Sequence, residues 1–286
     1  MKQSFFVLIS IVIFSCTKDS STFVIDDAYR AQFPLQKIVK ERAGYLQLIG
    51  LFELNPATQN SFGSYPENNF VLAIDSLPAR IGSISILGDS IVFDADDNVY
   101  VLNEKDSMID RKTILPDELL HHKRWSWMVI ERVGKYFLRV WDKDNPAVRS
   151  FAGYERYPLS SKFIFEGQFR YYSEPKKAKA QSLLGEEEIE FIGNVEFEFE
   201  GESYALDVDK DGFIMIGDKT SAIETYGSGR YLYIDLPSKD SLTVVDFNLC
   251  YNPPCTFSEF TTCLFPPTQN VLPFEILAGE KYTGSH

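Results

Sequence analysis

The stretch that decides the fold is NVEFEFEGESYALDV, residues 194–208. Three apolar side chains, Val195, Phe197 and Phe199, alternate with glutamates. Because successive side chains of a strand point to opposite faces of a sheet, this alternation predicts a strand with one buried and one solvated face. The stretch therefore predicts β structure in the C-terminal part of the chain.

The same kind of pattern extends toward the N-terminus. From Asn55 onward, short apolar runs are separated by Gly, Asn, Asp and Pro. Residues 82–102 alternate around a Gly88-Asp89 turn, and residues 125–142 have a hairpin pattern around Gly134. Such short strands between turn residues are typical of β architecture. The sequence therefore predicts a mainly β fold.

A change in composition divides this β region. Residues 173–188 are rich in lysine and interrupt the apolar runs, which places a boundary near residue 175. We therefore expect two β-rich halves, residues 26–175 and 176–286, each sandwich-like or barrel-like.

Helices are expected at two places. A short N-terminal helical segment follows residue 26 in two pieces that Pro34 separates, with apolar residues at helical spacing after the proline. A second short helix is predicted over residues 116–125, which include His121 and His122. We interpret these histidines as surface residues rather than as a catalytic base or a metal pair.

The N-terminus resembles a bacterial lipoprotein signal. Lys2 precedes ten apolar or small residues, 5–14, which are too few to span a bilayer but fit the core of a signal peptide. Residues 1–15 are predicted to be the signal peptide, Cys16 the lipidated residue, and residues 16–25 a tether. An ordinary cleaved signal or a short anchor is the alternative. We expect a lipoprotein of the bacterial outer membrane, held to the membrane by its lipid.

Composition and motifs exclude several classes of protein. Because 44% of its 286 residues are hydrophobic, the chain can bury a full core, which argues against a disordered protein. A net charge of -13 without a basic run argues against a nucleic-acid partner. The chain also has no Gly-x-Ser-x-Gly motif, phosphate-binding glycine loop or dinucleotide fingerprint.

Six blocks of the sequence together resemble the bacterial domain-of-unknown-function family 1684, from about Tyr45 almost to the C-terminus. The blocks are GYLQLIGLFEL, NSFGSYPENNFVL, LRVWDKDNPAVRSFAGYERYP, IGDKTSAIETYGSGRYL, DFNLCYNPPCTFSEFTTCLFPPTQNVL and ILAGEKY. The last three, in this order and spacing, are the most specific. The family has no established activity, so the resemblance implies a fold and a set of residues but no reaction.

The resemblance also suggests how the cysteines pair. Cys255 and Cys263 stand at the family's two usual cysteine positions, while Cys250 stands where the family has a small residue. A Cys255–Cys263 disulfide is therefore implied, with Cys250 as an extra thiol, and disulfides persist outside the cytoplasm. The alternatives are another pairing, free thiols, or a zinc site of three thiolates and Asp246.

A second resemblance concerns the N-terminal half. Residues 60–86 are similar to the opening strands of forkhead-associated domains, which bind phosphothreonine. Ser64 stands where those domains carry an arginine that clamps the phosphate, and their histidine is missing as well. The similarity therefore implies a β-sandwich but no phosphopeptide binding.

The segment DVDKDGFIMIGD, residues 207–218, has the spacing of a calcium loop. Its acidic residues stand at positions 1, 3, 5 and 12 of such a loop, and they are Asp207, Asp209, Asp211 and Asp218. Strand patterns rather than helices flank the segment, so a β-hairpin turn at residues 209–212 is our preferred interpretation. Calcium remains the alternative, and no other cofactor is predicted.

Polar residues of the specific blocks are the candidate binding residues, since most of them stand beside Gly or Pro at strand ends. They are Asp218, Thr220, Thr225, Tyr226, Arg230, Asp246, Asn248, Tyr251, Asn252 and Glu280.

These candidates support three hypotheses. We favour a protein that binds a small polar or anionic ligand, with Arg230 contacting an anionic group and Asp246 and Asn248 orienting the ligand. The second hypothesis is a carboxylate-dependent hydrolase with Asp218 and Asp246 as acid and base. The third is a structural envelope protein without a ligand.

Overall fold

The computed structural model describes residues 23–33, 35–74, 76–282 and 284. The predicted signal peptide and the predicted lipidation site at Cys16 lie outside the described residues. The described chain is mainly β, as the alternating patterns predict.

The N-terminal half contains two β-sheets. Six strands form the first sheet: β1 (Leu48–Glu53), β6 (Val101–Asn103), β7 (Met108–Ile109), β9 (Leu120–His122), β10 (Trp125–Arg132) and β11 (Lys135–Asp142). Their order across the sheet is β1-β11-β10-β9-β6-β7. Five strands form the second: β2 (Asn60–Gly63), β3 (Phe70–Val71), β4 (Gly82–Leu87), β5 (Ser90–Ala95) and β8 (Arg111–Ile114). Their order is β3-β2-β4-β5-β8.

The two sheets share one apolar core. Trp127 of β10 is fully buried there, with its ring centroid 5.4 Å from that of Phe62 and 5.7 Å from that of Phe93. Both phenylalanines belong to the second sheet, on β2 and β5. Large aromatic rings bury the most apolar area per residue, so this trio holds the two sheets together.

The C-terminal half is built on one larger sheet and one small one. Four strands form the larger sheet: β12 (Ile164–Ser182), β13 (Gly185–Phe199), β14 (Glu202–Val208) and β17 (Ser241–Asp246). Their order is β14-β13-β12-β17. Two antiparallel strands form the small sheet: β15 (Phe213–Ile216) and β16 (Arg230–Tyr233). A short 3-10 helix, Ser161–Phe163, precedes these strands, and others follow them: Phe247–Leu249, Pro254–Thr256 and Thr268–Asn270.

The strand prediction for residues 194–208 is confirmed. Val195, Phe197 and Phe199 are buried in the C-terminal core, while Glu198 and Glu200 are exposed. Glu200 and Gly201 turn the chain into β14, which pairs antiparallel with β13.

The helix predicted over residues 116–125 is wrong. Strand β9 occupies part of this segment and pairs with both β10 and β6. The surface position expected for His122 is wrong as well: the side chain is buried, with its Nδ1 2.7 Å from the carbonyl oxygen of Tyr100. Pairing on both sides of β9 outweighs the local helical preference, because each backbone group of a buried segment needs a partner.

The boundary expected near residue 175 falls inside β12. The lysine-rich segment forms part of the β12–β13 hairpin, where Lys177 lies 2.6 Å from Glu188. Cross-strand pairs of opposite charge favour this exposed pairing. The change from one core to the other lies earlier in the chain, since Val140 belongs to the N-terminal core and Phe163 to the C-terminal one.

In the described part of the chain, three helices lie outside the sheets: α1 (Asp27–Arg30), α2 (Leu35–Leu46) and α3 (Pro146–Ser150). The two pieces expected at the N-terminus are confirmed as α1 and α2. Both contact the C-terminal half. Tyr29 of α1 donates a hydrogen bond to Asp246, and Arg42 of α2 lies over the Tyr251 ring, 4.0 Å from its centroid. The N-terminal segment thereby covers part of the candidate site.

A disulfide joins Cys255 to Cys263, with a Cα–Cα distance of 6.0 Å, and Cys250 is free and buried. The pairing implied by the family resemblance is therefore confirmed. Because two of the three sulfur atoms are bonded to each other, these cysteines do not form the zinc site of three thiolates.

Candidate functional site

A buried ion pair, Asp218 with Arg230, lies at one end of the small sheet. In that sheet Ile216, the last residue of β15, pairs with Arg230, the first residue of β16, so Asp218, two residues beyond Ile216, lies close to Arg230. The Arg230 Nη2 atom donates to Asp218 Oδ2 at 2.9 Å, and each side chain is 1% exposed. The pair is thus shielded from water and is formed by local strand geometry.

Arg230 also binds the C-terminal segment of the chain. Its guanidinium donates to the carbonyl oxygens of Ile276 at 3.0 Å, of Ala278, and of Glu280 at 3.3 Å. Buried charges are tolerated when they are both paired and hydrogen-bonded, and Arg230 meets both conditions. It is therefore occupied by the protein itself.

The second oxygen of Asp218 is equally well bonded. Asp218 Oδ1 accepts hydrogen bonds from the Thr220 amide at 2.8 Å and from the Thr220 hydroxyl at 2.6 Å. The Ile276 amide also donates to it at 3.3 Å. The Thr220 hydroxyl in turn lies 2.9 Å from the hydroxyl of Thr225. Both threonines therefore extend the ion pair into a hydrogen-bond network.

Glu280 is a second buried carboxylate, 2% exposed. Its Oε1 accepts from Arg156 at 3.1 Å, and its Oε2 accepts from the Asn252 amide at 2.7 Å. Burial raises the pKa of the Glu280 carboxyl, and the Asn252 N–H and the Arg156 guanidinium offset part of that effect. Glu280 thus holds the C-terminal segment against the loop that contains Asn252.

The network continues to the N-terminal helices. Arg156 donates to the Asn248 carbonyl, and the Asn248 side chain donates to Asp246 Oδ1 at 2.9 Å. Tyr29 donates to Asp246 Oδ2 at 2.6 Å. Burial and the neighbouring Asp246 carboxylate both raise the pKa of the Tyr29 hydroxyl, so Tyr29 stays protonated and donates this bond.

The structure brings together eight of the ten sequence candidates in this region. They are Asp218, Thr220, Thr225, Arg230, Asp246, Asn248, Asn252 and Glu280, and all of them are buried. Tyr226 and Tyr251 are next in the chain to Thr225 and Asn252, and the Tyr226 ring centroid lies 5.1 Å from that of Tyr282. We call the eight buried candidates, together with Arg156 and Tyr29, the polar network.

Arg156 and Tyr29 were not among the sequence candidates. Arg156 lies in one of the blocks that resemble the family, so its position in that block was the available signal. Tyr29 lies 217 residues from its partner Asp246 in a helix of four residues. Nothing local in the sequence indicates that contact.

The acidic residues of the calcium-like segment are not gathered around one point. Asp207 accepts hydrogen bonds from Tyr172, Lys176 and Gln269. Within residues 23–33, 35–74, 76–282 and 284, no group of three or more His, Cys, Asp or Glu side chains is arranged to hold a metal ion.

Asp209 instead begins a tight turn. Its Oδ1 accepts from the amides of Asp211 at 2.8 Å and Phe213 at 2.9 Å. Gly212 has φ +79°, and a Cβ on it would lie 2.2 Å from the Ile234 carbonyl oxygen. The turn is the one that the preferred interpretation expects, but β15, which follows it, pairs with β16 rather than with β14.

A cavity of ≈ 340 Å³ borders the polar network at Asp218. Its lining combines glycines, serines and a few apolar residues: Gly217, Asp218, Ser221, Gly227, Ser228, Gly229, Phe265, Pro266 and Val271. Gly229 has φ +81°, and a Cβ there would lie 2.5 Å from the Ile216 carbonyl oxygen. At Gly227, by contrast, an added Cβ would meet only Ala222, at 3.4 Å. We call this space the polar cavity.

One protein family matches the part of the chain that contains the candidate residues. Residues 149–281 match the family described as "Protein of unknown function (DUF1684)". This match supports the resemblance inferred from the sequence, although it starts later than the expected Tyr45. All ten candidate residues lie within it.

One solved structure is similar to part of this chain. The solution NMR structure of an uncharacterized protein of Haloarcula marismortui is 25% identical, with a TM-score of 0.40. The match covers 48% of this chain and 80% of that one. No curated protein matches this chain.

Proposed function

We propose that the C-terminal half binds a small, polar, uncharged ligand in the polar cavity. The observation that supports this most strongly is the contact between that cavity and the polar network at Asp218. A fold can replace a buried ion pair by apolar residues without losing stability. Where a chain keeps many buried polar groups beside an open cavity, a binding site is the default hypothesis.

The lining indicates the chemistry of the ligand. Ser221 and Ser228 provide hydroxyl groups, and the neighbouring glycines leave the backbone accessible to a ligand. Phe265 and Pro266 add an apolar surface. A molecule with several hydroxyl groups and one apolar face, such as a sugar or a cyclic polyol, fits this combination.

Arg230 is already hydrogen-bonded within the protein, which favours a neutral ligand over an anionic one. An anion would need a cation with free donors, whereas Arg230 donates to Asp218 and to three backbone carbonyls. The favoured hypothesis from the sequence thus keeps its polar ligand, with Arg230 supporting the wall of the cavity instead of contacting the ligand.

A hydrolytic role for Asp218 and Asp246 receives no comparable support. Asp218 accepts four hydrogen bonds, and Asp246 accepts bonds on both of its oxygens. A general base needs a free lone pair within reach of the substrate proton. In this arrangement both carboxylates accept hydrogen bonds from other residues of the protein.

We further propose that the protein is a lipoprotein of the bacterial envelope, anchored at Cys16. The short apolar run before that cysteine supports this location. Within the described part of the chain, no helix has the length and apolar character needed to cross a membrane.

Ligand-observed NMR tests the binding proposal. The chain from Thr17 is screened by saturation transfer against glucose, galactose, myo-inositol and glycerol, with gluconate and glycerol 3-phosphate as charged comparators. We expect at least one neutral compound to bind more strongly than both anions. In Gly227→Leu that binding should be lost, because the new side chain fills the polar cavity.

Gly44→Leu is the matched control. Gly44 lies on α2 with nothing within 4 Å of an added Cβ, so this variant should bind as the wild type does. The proposal is overturned if no neutral compound binds, or if Gly227→Leu binds normally. Chemical conversion of a bound compound during the experiment would also overturn it, since the protein would then be an enzyme.

A further inference from the structure

A second cavity, of ≈ 320 Å³, lies on another part of the C-terminal half and shares no lining residue with the polar cavity. It lies between β13, the Asp209–Gly212 turn with β15, and the disulfide loop. Its walls are mostly apolar and include Ile189, Phe191, Ile192, Phe213, Met215 and Leu264. We call this space the apolar cavity.

The walls are held in place by the surrounding fold. Leu264 follows Cys263 of the disulfide, forms a bridge with Ser182, and accepts a hydrogen bond from the Tyr231 hydroxyl at 2.8 Å. The Phe213 ring meets the Tyr231 ring edge-on, with centroids 4.8 Å apart. Such a preformed space lets a ligand bind without ordering the protein first.

Three charged residues complete the lining, and two of them are already bonded. Asp209 accepts two backbone N–H groups, and Glu190 lies 3.6 Å from Lys177. Lys210 is exposed and forms no ion pair or side-chain hydrogen bond with any described residue. The cavity therefore offers one uncommitted positive charge beside apolar walls.

We propose that the apolar cavity binds a free aliphatic carboxylate of medium chain length. The aliphatic body would replace water against the apolar walls, and the carboxylate would pair with Lys210. The volume is near the lower end of the range for small-molecule sites, about 300–1,000 Å³, which suits one short chain. A helix about 10 Å across is too wide for this space, so the occupant is a small molecule.

Decanoate below its micelle-forming concentration is the probe. With ¹³C-methyl methionine labelling, the Met215 signal should shift on addition of decanoate because Met215 lines the cavity. Met108 is exposed and belongs to the N-terminal half, so its signal should stay unchanged. Calorimetry on the same samples gives the affinity.

Two substitutions separate the apolar and charged parts of the site. Leu264→Trp should abolish the Met215 shift by filling the cavity. Lys210→Ala should weaken decanoate binding about three- to fivefold, the size expected for losing one exposed ion pair. The control is Lys239→Ala, which removes an equally exposed lysine outside the cavity and should bind decanoate normally.

Decyltrimethylammonium, which has the opposite charge, should bind more weakly than decanoate. The proposal is overturned if decanoate leaves the Met215 signal unchanged, if Met108 shifts as much as Met215, or if the cationic compound binds as tightly as decanoate. Equal loss of affinity in Lys210→Ala and Lys239→Ala would likewise overturn it, since the effect would then come from net charge alone.

Discussion

At the scale of single residues, the Arg230–Asp218 pair is buried on both sides, with each side chain 1% exposed. Arg230→Met leaves the Asp218 carboxylate inside the protein without its cation. Breaking a buried pair in this way costs about 3–5 kcal/mol of unfolding free energy. Urea unfolding should therefore show a clearly lowered midpoint for this variant.

A control and a double variant make the result specific. Arg111→Met breaks a pair with Asp94 whose side chains are 65% and 39% exposed, so it should cost less than about 1 kcal/mol. Adding Asp218→Leu to Arg230→Met should restore part of the lost stability, because the unpaired charge is then gone. Equal effects of Arg230→Met and Arg111→Met would contradict the burial of the pair.

Cys250 provides a second prediction at this scale. The thiol is fully buried, and burial raises its pKa to about 12. In the chain from Thr17, which has three cysteines, we expect iodoacetamide at pH 8 to modify none in the folded protein. Unfolding should expose one, and unfolding with reduction all three. Intact mass measures each state, and labelling of the folded protein would show that Cys250 is accessible.

At the scale of elements, the loop before β16 has one glycine that is required and one that is not. Gly229→Ala forces a side chain onto a positive φ and against the Ile216 carbonyl oxygen. It should lower the unfolding free energy by about 2–4 kcal/mol. Gly227→Ala meets only Ala222 and should change it by less than about 0.5 kcal/mol. Thermal unfolding compares the two, and equal losses would contradict the described loop.

Individual elements also show what the sequence can predict. The alternation at Val195, Phe197 and Phe199 is local, so the strand could be predicted from adjacent residues alone. Strand β9 could not, because its stability comes from pairing with β6, 17 residues or more away in the chain, and with β10. Local helical preference was a poor guide where strand neighbours decide the structure.

The same distinction applies to the candidate site. Its residues could be selected from the sequence because they cluster in a few blocks with Gly and Pro. Their roles could not, since Arg156 reaches Glu280 across 124 positions and Tyr29 reaches Asp246 across 217. Only the folded chain shows that these contacts occupy Asp246 and Glu280.

At the scale of the whole molecule, the N-terminal helices join two halves that have separate apolar cores. The chain before them is expected to carry the lipid anchor. Cys16→Ser should therefore abolish labelling of the full-length protein by radioactive palmitate in a bacterial host, and should release the protein from the membrane fraction. Ser15→Ala is the control, because it keeps the cysteine. Palmitate labelling of Cys16→Ser would exclude anchoring at this residue.

The central claim is that a small neutral polar ligand binds beside Asp218. Amide chemical shifts of ¹⁵N-labelled protein, titrated with glucose, galactose, myo-inositol or glycerol, test it most directly. We predict that the amide signals of Gly227, Ser228 and Gly229 shift with saturation, while those of the N-terminal core do not. Saturable shifts confined to another region, or none with any of the four compounds, would contradict the claim.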